Sequence, residues 1–374
     1  MITSHHLQLR RIFVLCCILI CATILYTYSK TDTLQQRQSI KPVSVHALYP
    51  SNWTLVNLKR FEFLLNSDPC SGSERIELLV LVTSHPGHVD LRGAFRRALP
   101  STALRSFNMR RMFLLGRINT QQTGYRQVDQ SIIEEEHLKY GDIVQGDFVE
   151  SYRNLSYKHI MGLKYATHFC PHAELLLKMD DDIAVDLFRL LQLVRNQSLS
   201  SMQIAGAVLT GNELNPVRDK SSKWYVSRDD YAATRYPPFV SGWAYITTIE
   251  VARQLVRHAD LSPFFWIDDT YITGLLATLS NVTHLDIRPH FTVFTAHLRC
   301  CLRNSLSVCD YLVGPSGDDA ELIEAFHRHS LRCQRESCQQ WDKPSLCVIA
   351  NDPSASYRGA LKEHIVYGQV IPLS

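Results

Sequence analysis

No basic stripe interleaved with aromatic side chains runs through this chain, and its 39 lysines and arginines against 36 aspartates and glutamates leave a formal charge of only +3. Nucleic acid is therefore not an expected partner. An internal repeat is also lacking, which removes solenoids and propellers from consideration. The cysteines contain no paired C-x-x-C spacing of the zinc-ribbon kind, so a metal knuckle is not expected. What is present, 45% hydrophobic and 20% charged residues over 374 positions, suits a folded chain of one large domain or two small ones.

The N-terminus holds the longest uncharged apolar run, from Ile12 to Tyr28, preceded by Arg10 and Arg11. Its length sits near the lower limit for crossing a bilayer, and arginines stay on the cytosolic side. A signal anchor is expected over 12–28, with 1–11 as a cytosolic tail and everything after the run on the lumenal side. A cleaved signal peptide is the rival, but no small-x-small cleavage pattern closes the run.

Three of the eleven cysteines, Cys16, Cys17 and Cys21, lie in that run, which leaves eight: Cys70, Cys170, Cys300, Cys301, Cys309, Cys333, Cys338 and Cys347. An even number in a lumenal segment suits disulfides, and the crowding toward the end suggests a stapled C-terminal part. The pairing is not readable. N-x-[ST] sequons at Asn52, Asn154, Asn196 and Asn281 agree with passage through the secretory pathway.

Residues 29–73 are polar and irregular, as a stem holding a domain off a membrane would be. Beyond them, apolar runs at 76–84, 111–116, 142–148, 173–179 and 204–209 read as strands. Helical patterns lie between or after them at 88–99, 129–140, 154–168 and 183–195, and further ones at 248–258, 269–279 and 318–331. Alternating strand and helix implies an α/β fold with a parallel sheet covered on both faces.

Three stretches could carry chemistry. Lys178-Met179-Asp180-Asp181-Asp182 follows an apolar strand, where open α/β sheets gather their ligands. Asp180 and Asp182, one residue apart, point the same way on extended backbone and suit a hard divalent cation. The plain alternative is capping of the helix expected from near Ile183. A second pair, Asp268-Asp269, is framed by Trp266 and Tyr271; one carboxylate there could act as a general base, or cap the helix that follows. The third stretch, Tyr236-Pro237-Pro238-Phe239-Val240-Ser241-Gly242-Trp243, offers aromatic faces and a glycine where a sugar could approach closely, or is turn and core.

Together these blocks, with Arg92-Gly93-Ala94-Phe95-Arg96, Phe113-Leu114-Leu115-Gly116, Asp147 to Lys158 and Asp268-Asp269-Thr270-Tyr271-Ile272-Thr273-Gly274, resemble the β-1,3-glycosyltransferase family of galactosyltransferases and N-acetylglucosaminyltransferases over about residues 76–331. The resemblance implies a nucleotide-diphospho-sugar transferase fold (GT-A-like), with a mostly parallel central sheet flanked by helices, a catalytic domain over 74–331 and a cysteine-containing extension over 332–374. It implies inverting transfer of a hexose or N-acetylhexosamine, galactose foremost, from a UDP-sugar to the 3-hydroxyl of a glycan on protein or lipid. By the same resemblance Asp180 and Asp182 bind Mn²⁺ or Mg²⁺, Asp269 is the base, Arg96, Lys158 and Asp181 contact the nucleotide, and Ser241, Gly242, Trp243 and Asp268 contact substrate. It further suggests a single-pass type II protein of the Golgi membrane, and it allows a homodimer.

The chain departs from that pattern in three places. Relatives carry a histidine ligand where this chain reads Leu312-Val313-Gly314-Pro315, so water, His290 or His297 would have to stand in, unless metal affinity is weakened. Relatives tend to have Glu at the position of Asp268, and the Ile-Arg-x-Thr-Trp run is replaced around Arg96 to Leu99. A non-catalytic lumenal chaperone or binding protein is accordingly the main rival, with a calcium-dependent lectin third.

Overall fold

The computed structural model describes Thr23 and residues 54–339, apart from 73, 120, 122–125 and 304–305. No helix among the described residues is long and apolar enough to cross a membrane. The expected anchor over 12–28 lies, Thr23 aside, outside them, as do Asn52 and Cys347.

In chain order the strands are β1 (Phe63–Leu65), β2 (Ile76–Thr83), β3 (Met109–Arg117), β4 (Ile143–Val149), β5 (Ala173–Asp180), β6 (Ile183–Val185), β7 (Gln203–Leu209), β8 (Phe239–Thr248), β9 (Thr283–Asp286) and β10 (Val313–Pro315). Eight form one sheet in the order β1-β4-β3-β2-β5-β8-β7-β9, while β6 and β10 pair separately. The β2–β3, β2–β5, β3–β4 and β7–β9 ladders are parallel, and β1, together with β8 on both its sides, runs antiparallel to its neighbours. The expected α/β sheet is therefore mostly rather than wholly parallel.

Strands buried on both faces need no polar alternation, which is why β2 reads as a continuous apolar run. Its Leu78, Val80 and Val82 join a core with the helices Val89–Ala98, Leu187–Asn196 and Ala320–Glu336. Leu81 and Leu114 face the other way, toward Gly162 on the helix Leu155–Phe169, which in turn packs on Ile249–Ala259. The sheet is thus covered on both faces, and the carboxyl ends of β2 and β5 come side by side, with Thr83 in register with Asp180.

Three sequence expectations are corrected. Residues 183–185 are not the first turn of a helix; they form β6, and the helix starts at Leu187, where Asp186 accepts from Arg189 N at 3.1 Å. The stretch from Tyr236, for which a turn is one reading, runs from Phe239 into the longest strand of the sheet, Phe239–Thr248. The end of the expected stem is part of the fold, because Phe61 and Phe63 bury their rings and β1 pairs with β4. Disulfides join Cys70 to Cys170, Cys301 to Cys309 and Cys333 to Cys338, and Cys300 is also disulfide-bonded.

Candidate functional site

Because β6 follows β5 directly, Asp180 ends β5, Asp181 and Asp182 form the tight turn between the two strands, and none of the three caps a helix. Asp182 is fixed through its carbonyl, which accepts from Ser316 N at 2.8 Å just after β10. Asp180 and Asp182 border two cavities. The larger, about 880 Å³, is also lined by Lys178, Ser241, Gly242, Trp243, Trp266, Asp268 and Asp269. The smaller, about 290 Å³, is lined by Thr83, Ser84, His85, His88, Glu150, Lys158, Asp181 and Asp318. The two acidic motifs, far apart in sequence, therefore meet across one space.

Asp181 lines the smaller cavity but not the larger. Its Oδ2 accepts from Ser84 Oγ at 2.6 Å and from His88 Nδ1 at 2.9 Å, so it braces the loop after β2. Burial opposes its charge, but the His88 and Ser84 bonds outweigh that and hold the carboxyl below its ordinary range. Asp182 has no such partners among the described residues. Burial, with Asp180, Asp181 and Asp318 around it, pushes its carboxyl up to about 8. Burial also lifts Asp180, against the pull of Lys178, to about 6. Lys178 offsets one of these negative charges, and a bound divalent ion would relieve the rest.

The donor set fits such an ion: oxygens of two carboxylates suit Mn²⁺ or Mg²⁺. A third oxygen, the buried Thr83 Oγ1, has no hydrogen-bond partner among the described residues and lines both cavities. The histidines weighed as replacements are not at this place. His297 bonds Thr292 Oγ1 at 2.7 Å and stacks on Tyr311, and neither it nor His290 lines either cavity. Gly314, where relatives have the ligand, pairs with Ala184. One other grouping of metal-type ligands, Cys301, Cys309 and His329, is no site for an ion because its cysteines are joined in a disulfide.

Asp268 and Asp269 precede a π-helical segment, Thr270–Leu276, a form that concentrates at functional sites. Thr273 fixes this segment against β8: its hydroxyl donates to Asp269 O at 2.7 Å and accepts from Val240 N at 2.9 Å. Gly274 lets Phe239 approach, since a Cβ there would stand 3.1 Å from Phe239 Cβ. Asp269 does cap the segment, accepting from Thr270 N at 2.7 Å, so the capping and catalytic readings are compatible. Burial and the neighbouring Asp268 push Asp269 up to about 7. Burial works against Asp268 as well, but the His159 bond and the Lys178 charge prevail and hold it to about 2.

Lys178 ties the triple aspartate to β8 at Gly242. Its Nζ donates to Asp180 Oδ1 at 2.7 Å and to Gly242 O at 2.5 Å. Trp243 and Trp266 add aromatic walls to the larger cavity, and Trp266 Nε1 and Tyr236 Oη are buried there without a partner among the described residues.

Of the expected cationic contacts, Lys158 reaches the smaller cavity but is tied to Glu150 Oε1 at 2.6 Å and Ser84 O at 2.7 Å. Arg96 lies away from both cavities, bound to Asp142 and Glu136. Arg92, which sequence reasoning passed over, is the arginine that shapes the site: it donates to Glu136 Oε2 at 2.7 Å, to His85 O at 2.6 Å and to Ser84 Oγ at 3.1 Å. His88 and Asp318 were missed too, because no local pattern marks them. Among the sequons, Asn196 and Asn281 are exposed, whereas the Asn154 amide donates to Val149 O at 2.8 Å.

Residues 91–288 match the family model described as galactosyltransferase. The chain is 31% identical over 290 residues to mouse acetylgalactosaminyl-O-glycosyl-glycoprotein β-1,3-N-acetylglucosaminyltransferase, covering 74% of this chain and 72% of the relative. It is 29% identical over 238 residues to human β-1,3-galactosyltransferase 5, covering 63% of this chain and 74% of the relative. Among solved structures, a glycosyltransferase involved in glycosylation of the major capsid of PBCV-1 aligns at 10% identity with a TM-score of 0.33, over 67% of this chain and 98% of that one.

Proposed function

Because the chain belongs to the galactosyltransferase family and is thus a glycosyltransferase of GT-A-like fold, we propose that it moves a hexose or N-acetylhexosamine, galactose foremost, from a UDP-sugar to the 3-hydroxyl of a glycan, giving a β-1,3 linkage with inversion. The observation that carries this reading is the division of labour across one space: Asp180 and Asp182 border both cavities, and Asp269 borders the larger. A nucleotide in the smaller cavity, with its diphosphate at the shared carboxylates, would direct its sugar toward Asp269.

In this account Asp180 and Asp182 would hold Mn²⁺ or Mg²⁺, which when bound supplies countercharge to the departing UDP. The acceptor enters along Trp243 and Trp266, whose rings suit a pyranose face. Asp269, held by Thr270 N and carrying a proton affinity near neutral, takes the proton of the attacking hydroxyl. A single displacement by that hydroxyl on an α-linked donor gives the β product and leaves UDP; no covalent intermediate is needed. Arg10, Arg11 and the apolar run over 12–28 support a type II anchor, and the disulfides support an oxidising lumen such as that of the Golgi.

The second reading, a non-catalytic binding protein, draws on Gly314 and on the two histidines set away from the aspartates. One experiment separates them. The purified chain with Mn²⁺ is screened against UDP-galactose, UDP-N-acetylglucosamine and other UDP-sugars with simple glycosides, alongside Asp269→Asn. Transfer is expected with one donor, and the variant is expected to lose about 10²- to 10⁴-fold in kcat. Equal rates would remove Asp269 from the mechanism, and no turnover with any donor would favour the binding protein.

A further inference from the structure

A hydrogen-bonded chain of buried side chains stands behind Asp268 and Asp269. His159, 2% exposed on the helix Leu155–Phe169, places Nδ1 3.1 Å from Asp268 Oδ2 and Nε2 2.6 Å from Tyr245 Oη. Tyr245 is itself 1% exposed and stands on β8 in register with Lys178 of β5. We propose that His159 is a positioning residue for the reaction: it holds Asp268 as a fixed anion beside Asp269, so that Asp269 alone exchanges the acceptor's proton. This rests on Asp269 being the base, as argued above.

The partners on either side settle which ring nitrogen carries the hydrogen. A neutral imidazole donates from one nitrogen and accepts at the other. An ionised Asp268 can only accept, so Nδ1–H donates to it, and Nε2 is left to accept from the Tyr245 hydroxyl. An ionised carboxylate accepts there, whereas a protonated one would have to turn its hydroxyl away. The charged and titratable groups around the ring are Asp268, Tyr245 and Lys178, and burial, against the pull of Asp268, lowers the pKa of the imidazole. A relay of this form orients a side chain and fixes its charge without touching substrate.

The consequence for Asp269 is electrostatic. Two neighbouring carboxylates resist being ionised together, and a free pair would share one proton between them. With Asp268 committed to the His159 donor, the proton can reside only on Asp269, the member whose place in the cavity wall faces an incoming hydroxyl. His159 also sets where Asp268 points: the aspartate has one methylene fewer than the glutamate that the family resemblance leads one to expect, and the imidazole reaches it from the helix behind.

The test uses the full chain with UDP-galactose, Mn²⁺ and a nitrophenyl N-acetyl-β-glucosaminide, recording kcat/KM against pH. In His159→Met, Asp268 loses its donor and becomes the easier group to protonate. The acid limb is then expected to move down by about one pH unit, with kcat reduced roughly tenfold and KM for UDP-galactose changed by less than about twofold. His159→Gln, whose amide can donate to Asp268, is expected to restore the limb and most of kcat. Tyr245→Phe, which frees the ring to change tautomer while keeping the packing, is expected to shift the limb the same way and serves as the deciding arm if His159→Met does not fold. An unmoved limb in whichever of these two variants folds overturns the inference, as does an equal loss of kcat in the Met and Gln variants. Absence of transfer by the unaltered chain, or full transfer by Asp269→Asn, is a distinct result: it removes the base on which the inference stands.

Discussion

A methyl group added to Gly314 would stand 2.7 Å from Thr292 Cγ2 and 3.1 Å from Leu298 Cδ2. The small strand pair of β6 and β10, which holds Asp182 in place through Ser316, is therefore packed around the absence of a side chain.

Restoring a histidine at this position should not restore a ligand. Gly314→His forces Thr292 and Leu298 apart, and overpacking of this kind costs about 1–3 kcal/mol. Chemical denaturation of Gly314→His and Gly314→Ala should show both variants destabilised, with no gain in Mn²⁺ affinity for the histidine. A histidine variant as stable as the parent and tighter for Mn²⁺ would show that the position still faces the ion.

His327 gives a pH signature in stability. Its ring is fully buried beside Phe95, Nδ1 donates to Ile323 O at 2.8 Å, and Nε2 has no partner among the described residues. Burial lowers its pKa from 6.5 to about 4. Between those values the unfolded chain takes a proton that the fold refuses, so this stability is fully present above about pH 6.5 and is lost as pH falls toward 4. Comparing unfolding of the parent and His327→Leu at pH 7 and pH 4.5, the parent should lose about 2 to 3 kcal/mol more than the variant. Equal losses would mean the ring is protonated in the fold.

Much of the frame was legible because β2, β3, β4, β5 and β7 are apolar runs buried on both faces, with helices whose periodicity is clear. β8 was not, since Ser241 and Gly242 interrupt its pattern where it passes the site. The triple aspartate stood out as excess charge after a strand, and Asp268-Asp269 as an acidic pair framed by aromatics. What sequence could not supply is the company they keep: Asp181 spends its oxygens on Ser84 and His88, Arg92 rather than Arg96 shapes the loop, and His159 meets Asp268 across 109 residues. Such partners are set by tertiary packing and leave no local periodicity.

Asp180 and Asp182 are proposed to hold a divalent ion against a nucleotide's phosphates, and titration calorimetry of UDP into the purified chain, with and without Mn²⁺, reads that contact. With Mn²⁺ present, UDP is expected to bind at least roughly tenfold more tightly than without it, and Asp182→Asn should abolish that difference. UDP affinity indifferent to Mn²⁺ and unchanged in Asp182→Asn would contradict the account.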